Sequence, residues 1–180
     1  GGNITVNGAV SDAMHIEQYF LMKGGTLNLS GMGGDGLQVE TKTQFNPNTN
    51  LEEDDPTKEN NGMMFIQGGS IQSAITGSCA EGIKVPYNLY FSGGTIGLKD
   101  IANGKEKYIP GITASGLGSK GISVGGDMVV SEEHNTTLIV INATGTDYED
   151  PETDETKRCM GIKVDNNMTV NAGTIRVYNT

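Results

Sequence analysis

The sequence is poor in the residues that stabilise or rigidify many small proteins. It contains two cysteines, no tryptophan and five prolines among 180 residues. Two cysteines cannot build a disulfide scaffold, so a hydrophobic core must stabilise the chain. Five prolines beside 27 glycines exclude both collagen and a Pro/Gly-rich linker.

Positive charge is also scarce. Twelve Lys and Arg stand against 22 Asp and Glu, which gives a net charge of −10. This balance argues against nucleic acid or an anionic membrane as a partner, because both are bound through a basic face. No run of residues approaches the roughly 18 apolar positions of a membrane-spanning helix, so we expect no membrane insertion.

Glycine is abundant, and its positions repeat. Three copies of one pattern align without a gap, at residues 12–29, 81–98 and 160–177. Two further copies begin at Gly36 and Gly121 and carry insertions, and residues 3–6 match the last third of a sixth copy. The shared pattern is G-Φ-x-Φ-x-x-x-Φ-x-Φ-x-G-G-T-Φ-x-Φ, where Φ is an apolar residue. Internal repetition of this kind is typical of solenoid proteins.

Within each copy the apolar residues alternate, which predicts three short β-strands separated by turns. No segment shows the 3.6-residue period of a helix. A unit of about 20 residues is too small to bury its own apolar face, so the copies must stack. A β-sandwich would not repeat one frame five times. We therefore predict an all-β chain that forms a parallel β-solenoid of five to six turns, with residues 1–180 as a single domain.

Stacking turns the columns of the alignment into ladders, about 4.8 Å between strands. Loops leave the stack at three predicted insertions, residues 41–61, 100–116 and 146–157. The predicted inward ladders are Met14/Leu37/Ile83/Ile122/Ile162, Ile16/Val39/Val85/Val124/Val164 and Leu27/Ile71/Ile96/Leu138/Ile175.

Three acids share the column that precedes the first strand: Asp12, Asp35 and Glu81. Like charges about 5 Å apart disfavour simultaneous ionisation, and a divalent cation would relieve the repulsion. Ca²⁺ is the flexible oxygen-binding candidate. Two interpretations stay open at this point. The acids hold Ca²⁺, or their side chains point apart into solvent.

A second column lies on the outward face of the middle strands and reads Leu21, Phe65, Tyr90, Val129 and Thr169. An apolar and aromatic stripe on a surface can mark a binding face. The rings of two neighbouring copies could stack against a sugar. The alternative is that an insertion folds back and covers the stripe. We take Phe65, Tyr90 and Lys84 as the candidate carbohydrate-binding residues.

A catalytic constellation is hard to assemble from this sequence. His15 and His134 fall in different columns, so we expect no His-centred triad. Cys79 and Cys159 are two copies apart, beyond the reach of a disulfide, which predicts two reduced, largely buried thiols. Arg158 is expected to lie far from the acidic column.

The ladder in Gly82-Ile-Lys-Val85 with Gly93-Gly-Thr-Ile96 resembles a known group. It is similar to the bacterial right-handed β-helix carbohydrate-binding domains, non-catalytic surface proteins with an architecture like that of pectate lyases. The resemblance implies a right-handed parallel β-helix, an extracellular or cell-surface location, and binding of acidic or plant-type polysaccharide. It also implies Ca²⁺ at corner aspartates, and Gly34-Asp-Gly-Leu37 matches such a corner.

Two function classes follow. The first is a non-catalytic carbohydrate-binding or adhesin-like module, whose partner is a polysaccharide or a surface glycan. The second is a polysaccharide lyase or glycoside hydrolase on the same scaffold. We favour the binding module, because a lyase places a basic residue beside acids and the sequence predicts no such pair. The two ends of the stack leave exposed strand edges, which solenoids normally cover. Three interpretations stay open: a missing capping segment, a longer parent protein, or end-to-end self-association of copies.

Overall fold

The computed structural model describes residues 1–179, and all regular structure in that range is β-strand. No helix in these residues could span a membrane. The strands are β1 (Asn3–Asn7), β2 (Met14–Glu17), β3 (Tyr19–Met22), β4 (Thr26–Met32), β5 (Leu37–Glu40), β6 (Thr43–Asn46), β7 (Leu51–Asp54), β8 (Met63–Ile75), β9 (Glu81–Val85), β10 (Leu89–Ile96), β11 (Leu98–Ala102), β12 (Lys105–Ile109), β13 (Ile112–Ala114), β14 (Lys120–Val124), β15 (Met128–Val130), β16 (Thr137–Ala143), β17 (Tyr148–Glu149), β18 (Thr156–Lys157), β19 (Met160–Val164), β20 (Met168–Val170) and β21 (Thr174–Tyr178).

Strands from successive copies of the repeat pair in parallel. The first strand of each copy joins a five-stranded sheet in the order β2-β5-β9-β14-β19. The middle and last strands join a ten-stranded sheet, in which β8 and β10 each supply both parts of their copy. Strand β1 pairs with β4, as predicted for the last third of a further copy. The all-β class and the parallel pairing are therefore confirmed.

The first predicted inward ladder is present in register. Met14 pairs with Leu37, Leu37 with Ile83, and Ile83 in turn with Ile122 of β14. Leu37, Ile83 and Ile122 are completely buried. Burial of such a side chain contributes about 1.5–3 kcal/mol each, and stacking repeats this gain in every copy.

The third predicted ladder is wrong at one position. Ile96 pairs with Ile139 rather than with Leu138, which pairs instead with Thr95. The reason is a longer corner in the fourth copy, which places Thr137 opposite Gly94 and shifts the register by one residue. A one-residue shift exchanges the two faces of a strand, so Ile139 takes the inward position.

Each predicted insertion coincides with a two-stranded antiparallel hairpin: β6–β7, β11–β12 and β17–β18. The second hairpin begins at Leu98, two residues before the predicted start of its insertion. The second predicted insertion, residues 100–116, extends too far towards the C-terminus. Strand β13, inside residues 100–116, returns to the ten-stranded sheet and pairs with β8 and β16. Ile112 and Ala114 are completely buried there, so this apolar pair draws the chain back into the core.

The paired glycines form corners where neighbouring copies approach closely. A Cβ atom at Gly93 would lie 2.5 Å from the carbonyl oxygen of Gln67 in the copy below. At the equivalent Gly24 of the first full copy, a Cβ would meet nothing within 4 Å. Neither glycine has a positive φ. The two positions therefore differ in the room available for a side chain and not in a need for left-handed backbone.

We expect Gly93→Ala to lower the free energy of unfolding by about 1–3 kcal/mol, because the new methyl group overpacks the corner. Gly24→Ala should leave it unchanged or raise it by up to about 1 kcal/mol, through a less flexible unfolded chain. Urea unfolding of both variants measures the difference. Equal effects at the two positions would contradict the stacked corners.

Candidate functional site

The predicted outward column lies in register on the ten-stranded sheet. Leu21 pairs with Phe65, Phe65 with Tyr90, and the ladder continues through Val129 to Thr169. Leu21 is 41% exposed, while Phe65 and Tyr90 are half-buried. The column therefore reaches solvent rather than lying wholly beneath an insertion.

Phe65 and Tyr90 stack on each other. Their ring centroids lie 5.2 Å apart and their planes differ by 8°, a separation typical of offset aromatic pairs. One face of each ring is used in this contact. A sugar can therefore contact only the opposite face or the outer edge of each ring. This is a narrower platform than two separate rings would offer.

The two rings line a small open cleft of about 180 Å³, which we call the aromatic cleft. Aromatic surface with a few polar side chains is the usual lining of a small-ligand site. The same cleft brings Ser92 and His134 together, with Ser92 Oγ 2.9 Å from His134 Nδ1. His134 was expected to stand alone, and the longer corner of the fourth copy is what brings it here. The remaining lining residues are Gln67, Val129, Ser131 and Glu133.

Lys84 does not join Phe65 and Tyr90, because it lies on the five-stranded sheet. It lines a different cleft of about 550 Å³, which we call the lysine cleft. Five of the twelve basic side chains of the chain surround it. The lysine cleft is lined by Lys84, Lys120, Lys157, Arg158 and Lys163, with Cys79, Glu81, Thr156 and Met160.

The expectation that Arg158 lies far from the acidic column is wrong. The third hairpin and the start of β19 bring Arg158 into the same cleft as Glu81. The register of first strands predicts the stack but not the path of an insertion, which explains the error. Among residues 1–179, Arg158 makes no ion pair, whereas Lys163 pairs with Asp165 at 2.7 Å.

The acidic column is confirmed as a column, and its carboxylates bind backbone amides. Asp12 Oδ1 accepts a hydrogen bond from the Asp35 amide at 2.7 Å, and Asp35 Oδ1 accepts one from the Glu81 amide at 2.7 Å. Asp35 and Glu81 are 5% and 7% exposed. Each aspartate thus ties its copy to the next, so the interpretation that the acids point apart into solvent does not describe Asp35 or Glu81.

Lysines supply the positive charge beside these acids. Lys84 Nζ lies 3.1 Å from Asp35 Oδ2, and Lys120 Nζ lies 3.1 Å from Glu81 Oε1. Burial raises the pKa of Glu81, a hydrogen bond and repulsion from Asp35 raise it further, and Lys120 opposes the rise. Burial lowers the pKa of Lys84, but attraction to Asp35 outweighs this and the pKa is raised.

These three carboxylates as placed do not fit a calcium site. One carboxylate oxygen of Asp12 and one of Asp35 already accept a hydrogen bond from a backbone amide, and lysine ammonium groups lie beside Asp35 and Glu81. In the part of the chain that the structure describes, no group of three or more His, Cys, Asp or Glu side chains is arranged to hold a metal ion. Calcium binding stays a prediction from sequence, without support at these residues.

The two cysteines are free, as predicted, but the prediction that they are largely buried is wrong. Both are partly exposed, since each lies just before a first strand at a corner of its copy.

Comparison with known proteins gives one match. A family model described as "Carbohydrate-binding domain-containing protein" matches residues 1–180, which is the full chain. No curated protein and no solved structure matches the chain. The family description agrees with a small aromatic cleft on the sheet surface, and it names no particular sugar.

We expect Lys120→Met to lower the free energy of unfolding by about 1–3 kcal/mol at neutral pH, because it leaves the Glu81 carboxylate without its nearest cation. Methionine fits this column, since Met160 pairs with Lys120 in the next copy. Lys163→Met is the control. That lysine is 39% exposed, so its loss should cost less than about 1 kcal/mol.

The free energy of unfolding that Lys120→Met removes should depend on pH, and it should be larger at neutral than at acidic pH. Without Lys120, the pKa of Glu81 in the folded protein rises further above that of the unfolded chain. The folded state then binds more protons between these two values, so its stability falls as pH rises through them. The cost of Lys120→Met is therefore smaller near pH 4 than at pH 7. A pH-independent cost in urea unfolding would contradict the assignment.

The melting temperature of the wild-type protein should be the same with millimolar Ca²⁺ and with EDTA, since lysines already neutralise the acidic column. A ligand that binds the native state must raise its stability. A rise in melting temperature with Ca²⁺, reversed by EDTA, would restore the calcium prediction.

Proposed function

The chain belongs to the family of carbohydrate-binding domain-containing proteins, and on that basis we propose that it is a non-catalytic module that binds polysaccharide through the aromatic cleft. The observation that carries this proposal is the stacked Phe65–Tyr90 pair beside polar side chains in an open cleft. An apolar ring surface packs against the C–H face of a sugar, and neighbouring amide, carboxylate and imidazole groups hydrogen-bond its hydroxyls.

The lysine cleft supports a second part of the proposal, namely that the ligand is one of the acidic or plant-type polysaccharides that the sequence resemblance implies. It gathers basic side chains on one face of a chain whose net charge is −10. Four of the five are lysines already paired with carboxylates, which leaves Arg158 as the cation without an ion pair among residues 1–179. A guanidinium binds a carboxylate through two parallel hydrogen bonds, so Arg158 is the group best suited to a uronate.

A polysaccharide lyase is the second candidate function, and the same cleft favours it. A lyase abstracts a proton beside a carboxylate, which requires a base close to groups that neutralise charge. Arg158 and Lys120 line a cleft together with the buried Glu81. The sequence predicted no such combination. The lysines here are paired with carboxylates, which makes them suited to binding charge rather than to removing a proton.

We also propose that the stacked sheets form a right-handed parallel β-helix. The parallel register between equivalent strands of successive copies supports this arrangement. An extracellular location, an adhesin role and end-to-end self-association stay predictions.

We expect Phe65→Ala and Tyr90→Ala each to weaken polysaccharide binding by about tenfold or more, as truncation of a central aromatic contact costs above about 1.4 kcal/mol. The ligand is first selected on a glycan array, and the affinity is then measured by calorimetry. Phe45→Ala is the matched control, because Phe45 is an exposed aromatic on the first hairpin. Binding unchanged in both cleft variants, with unchanged melting temperatures, would contradict the site.

Incubation with polygalacturonate tests the lyase. We expect no growth of the unsaturated-uronate absorbance, since the cleft presents paired ammonium groups and no free base. A steady increase that Arg158→Ala abolishes would establish the enzyme instead of the binding module.

A further inference from the structure

One corner of the stack differs from its neighbours. Between Phe91 and Gly94 the third copy has two residues, and the register places Val130 and Thr137 at the equivalent positions of the fourth copy. Six residues, 131–136, therefore fill the place of two. We call this segment the expanded corner. The four additional residues are not needed to turn the chain, because the neighbouring copies turn with two.

The expanded corner is held in place by hydrogen bonds to the third copy. The His134 amide donates to the Ser92 carbonyl at 2.9 Å, and the Gly94 amide donates to the Thr136 carbonyl at 3.0 Å. Thr137 closes its far end, with Oγ1 donating to the Ser131 carbonyl at 2.6 Å. The segment also packs tightly, since a Cβ at Gly93 would lie 2.8 Å from the Asn135 nitrogen.

This segment supplies the polar wall of the aromatic cleft. Ser131, Glu133 and His134 all line the cleft that contains Tyr90. Ser92 is 8% exposed, and its hydroxyl contacts Nδ1 of His134. No second side-chain hydrogen bond to the imidazole occurs among residues 1–179, so Nε2 is the ring nitrogen that a ligand can use.

Glu133 adds a negative charge to the same wall. It forms no ion pair within residues 1–179. A carboxylate accepts hydrogen bonds from sugar hydroxyls and repels the carboxylate of a uronic acid. The two clefts therefore differ in charge preference, since Arg158 in the lysine cleft favours an anion.

We propose that the expanded corner is the specificity element of the aromatic cleft, and that it selects an uncharged, hydroxyl-bearing sugar unit. This inference rests on the proposed function, because it assumes that the aromatic cleft binds sugar. Glu133 and His134 contact the hydroxyls beside the aromatic rings. Ser92 is a positioning residue, since its hydroxyl holds the imidazole of His134 at Nδ1 and leaves Nε2 directed to the ligand.

The test compares two probes, a neutral β-glucan hexasaccharide and a galacturonate hexasaccharide, by calorimetry on the full chain. His134→Ala should weaken binding of the neutral probe by about tenfold, the loss of one well-placed hydrogen bond. Glu133→Gln keeps hydrogen bonding but removes the charge, so the preference for neutral over acidic probe should fall at least threefold. Glu52→Gln, an exposed acid on the first hairpin, is the matched control.

Ser92→Ala tests the positioning role with a separate readout. The ¹⁵N chemical shifts of the His134 ring report which nitrogen carries the proton. They should change in Ser92→Ala, while the melting temperature stays close to that of the wild type. Replacing residues 131–137 with Ser-Gly-Gly, the corner sequence of the third copy, keeps the corner length of the other copies and supplies the glycine of positive φ that they have opposite Thr137. This variant should still fold and should lose the preference between the probes.

The outcomes separate the two claims. Loss of binding in Phe65→Ala and Tyr90→Ala, with wild-type affinity and preference in all corner variants, would overturn this inference and leave the binding function standing. Unchanged binding in the aromatic variants would overturn both. No binding of either probe by the wild type, with binding of another glycan on the array, would overturn this inference alone. Unchanged ¹⁵N shifts in Ser92→Ala would remove Ser92 from the account.

Discussion

Parallel pairing of equivalent strands is the constraint on which the rest of the structure depends. Each copy places the same kind of residue above its counterpart, so every column acquires one environment. Inward columns become continuous apolar ladders such as Leu37, Ile83 and Ile122. Corner columns must accept a close neighbour, which explains the glycines. Polar columns must satisfy the amides of the next copy, which Asp12 and Asp35 do with their carboxylates.

Much of this could be predicted from sequence, because a repeat reports the register directly. The outward column with Phe65 and Tyr90, the acidic column and the three insertions were all visible as alignment features, although the hairpins inside the insertions were not. Departures from the repeat were the source of error. The expanded corner moved Leu138 out of its predicted ladder and brought His134 to Ser92. A repeat pattern carries no information about where an added segment folds.

The charged residues show why the alignment columns alone did not predict the partners of the acidic side chains. Three acids in one column predicted a cation, and the structure provides it from two lysines, Lys120 in the next copy of the same column and Lys84 on the adjoining strand. The ammonium of Lys84 comes from the neighbouring outward column, and Arg158 comes from beyond an insertion. Contacts between columns depend on side-chain reach and on loop paths, which the alternation of apolar residues does not encode.

The central claim is that sugar binds at the aromatic cleft beside the expanded corner. Titration of the ¹⁵N-labelled protein with a glycan selected on an array, followed by amide chemical shifts, tests it most directly. The account predicts shifts concentrated at Phe65, Tyr90, Val129 and residues 131–136. Shifts confined to the lysine cleft around Arg158, or to neither surface, would contradict it.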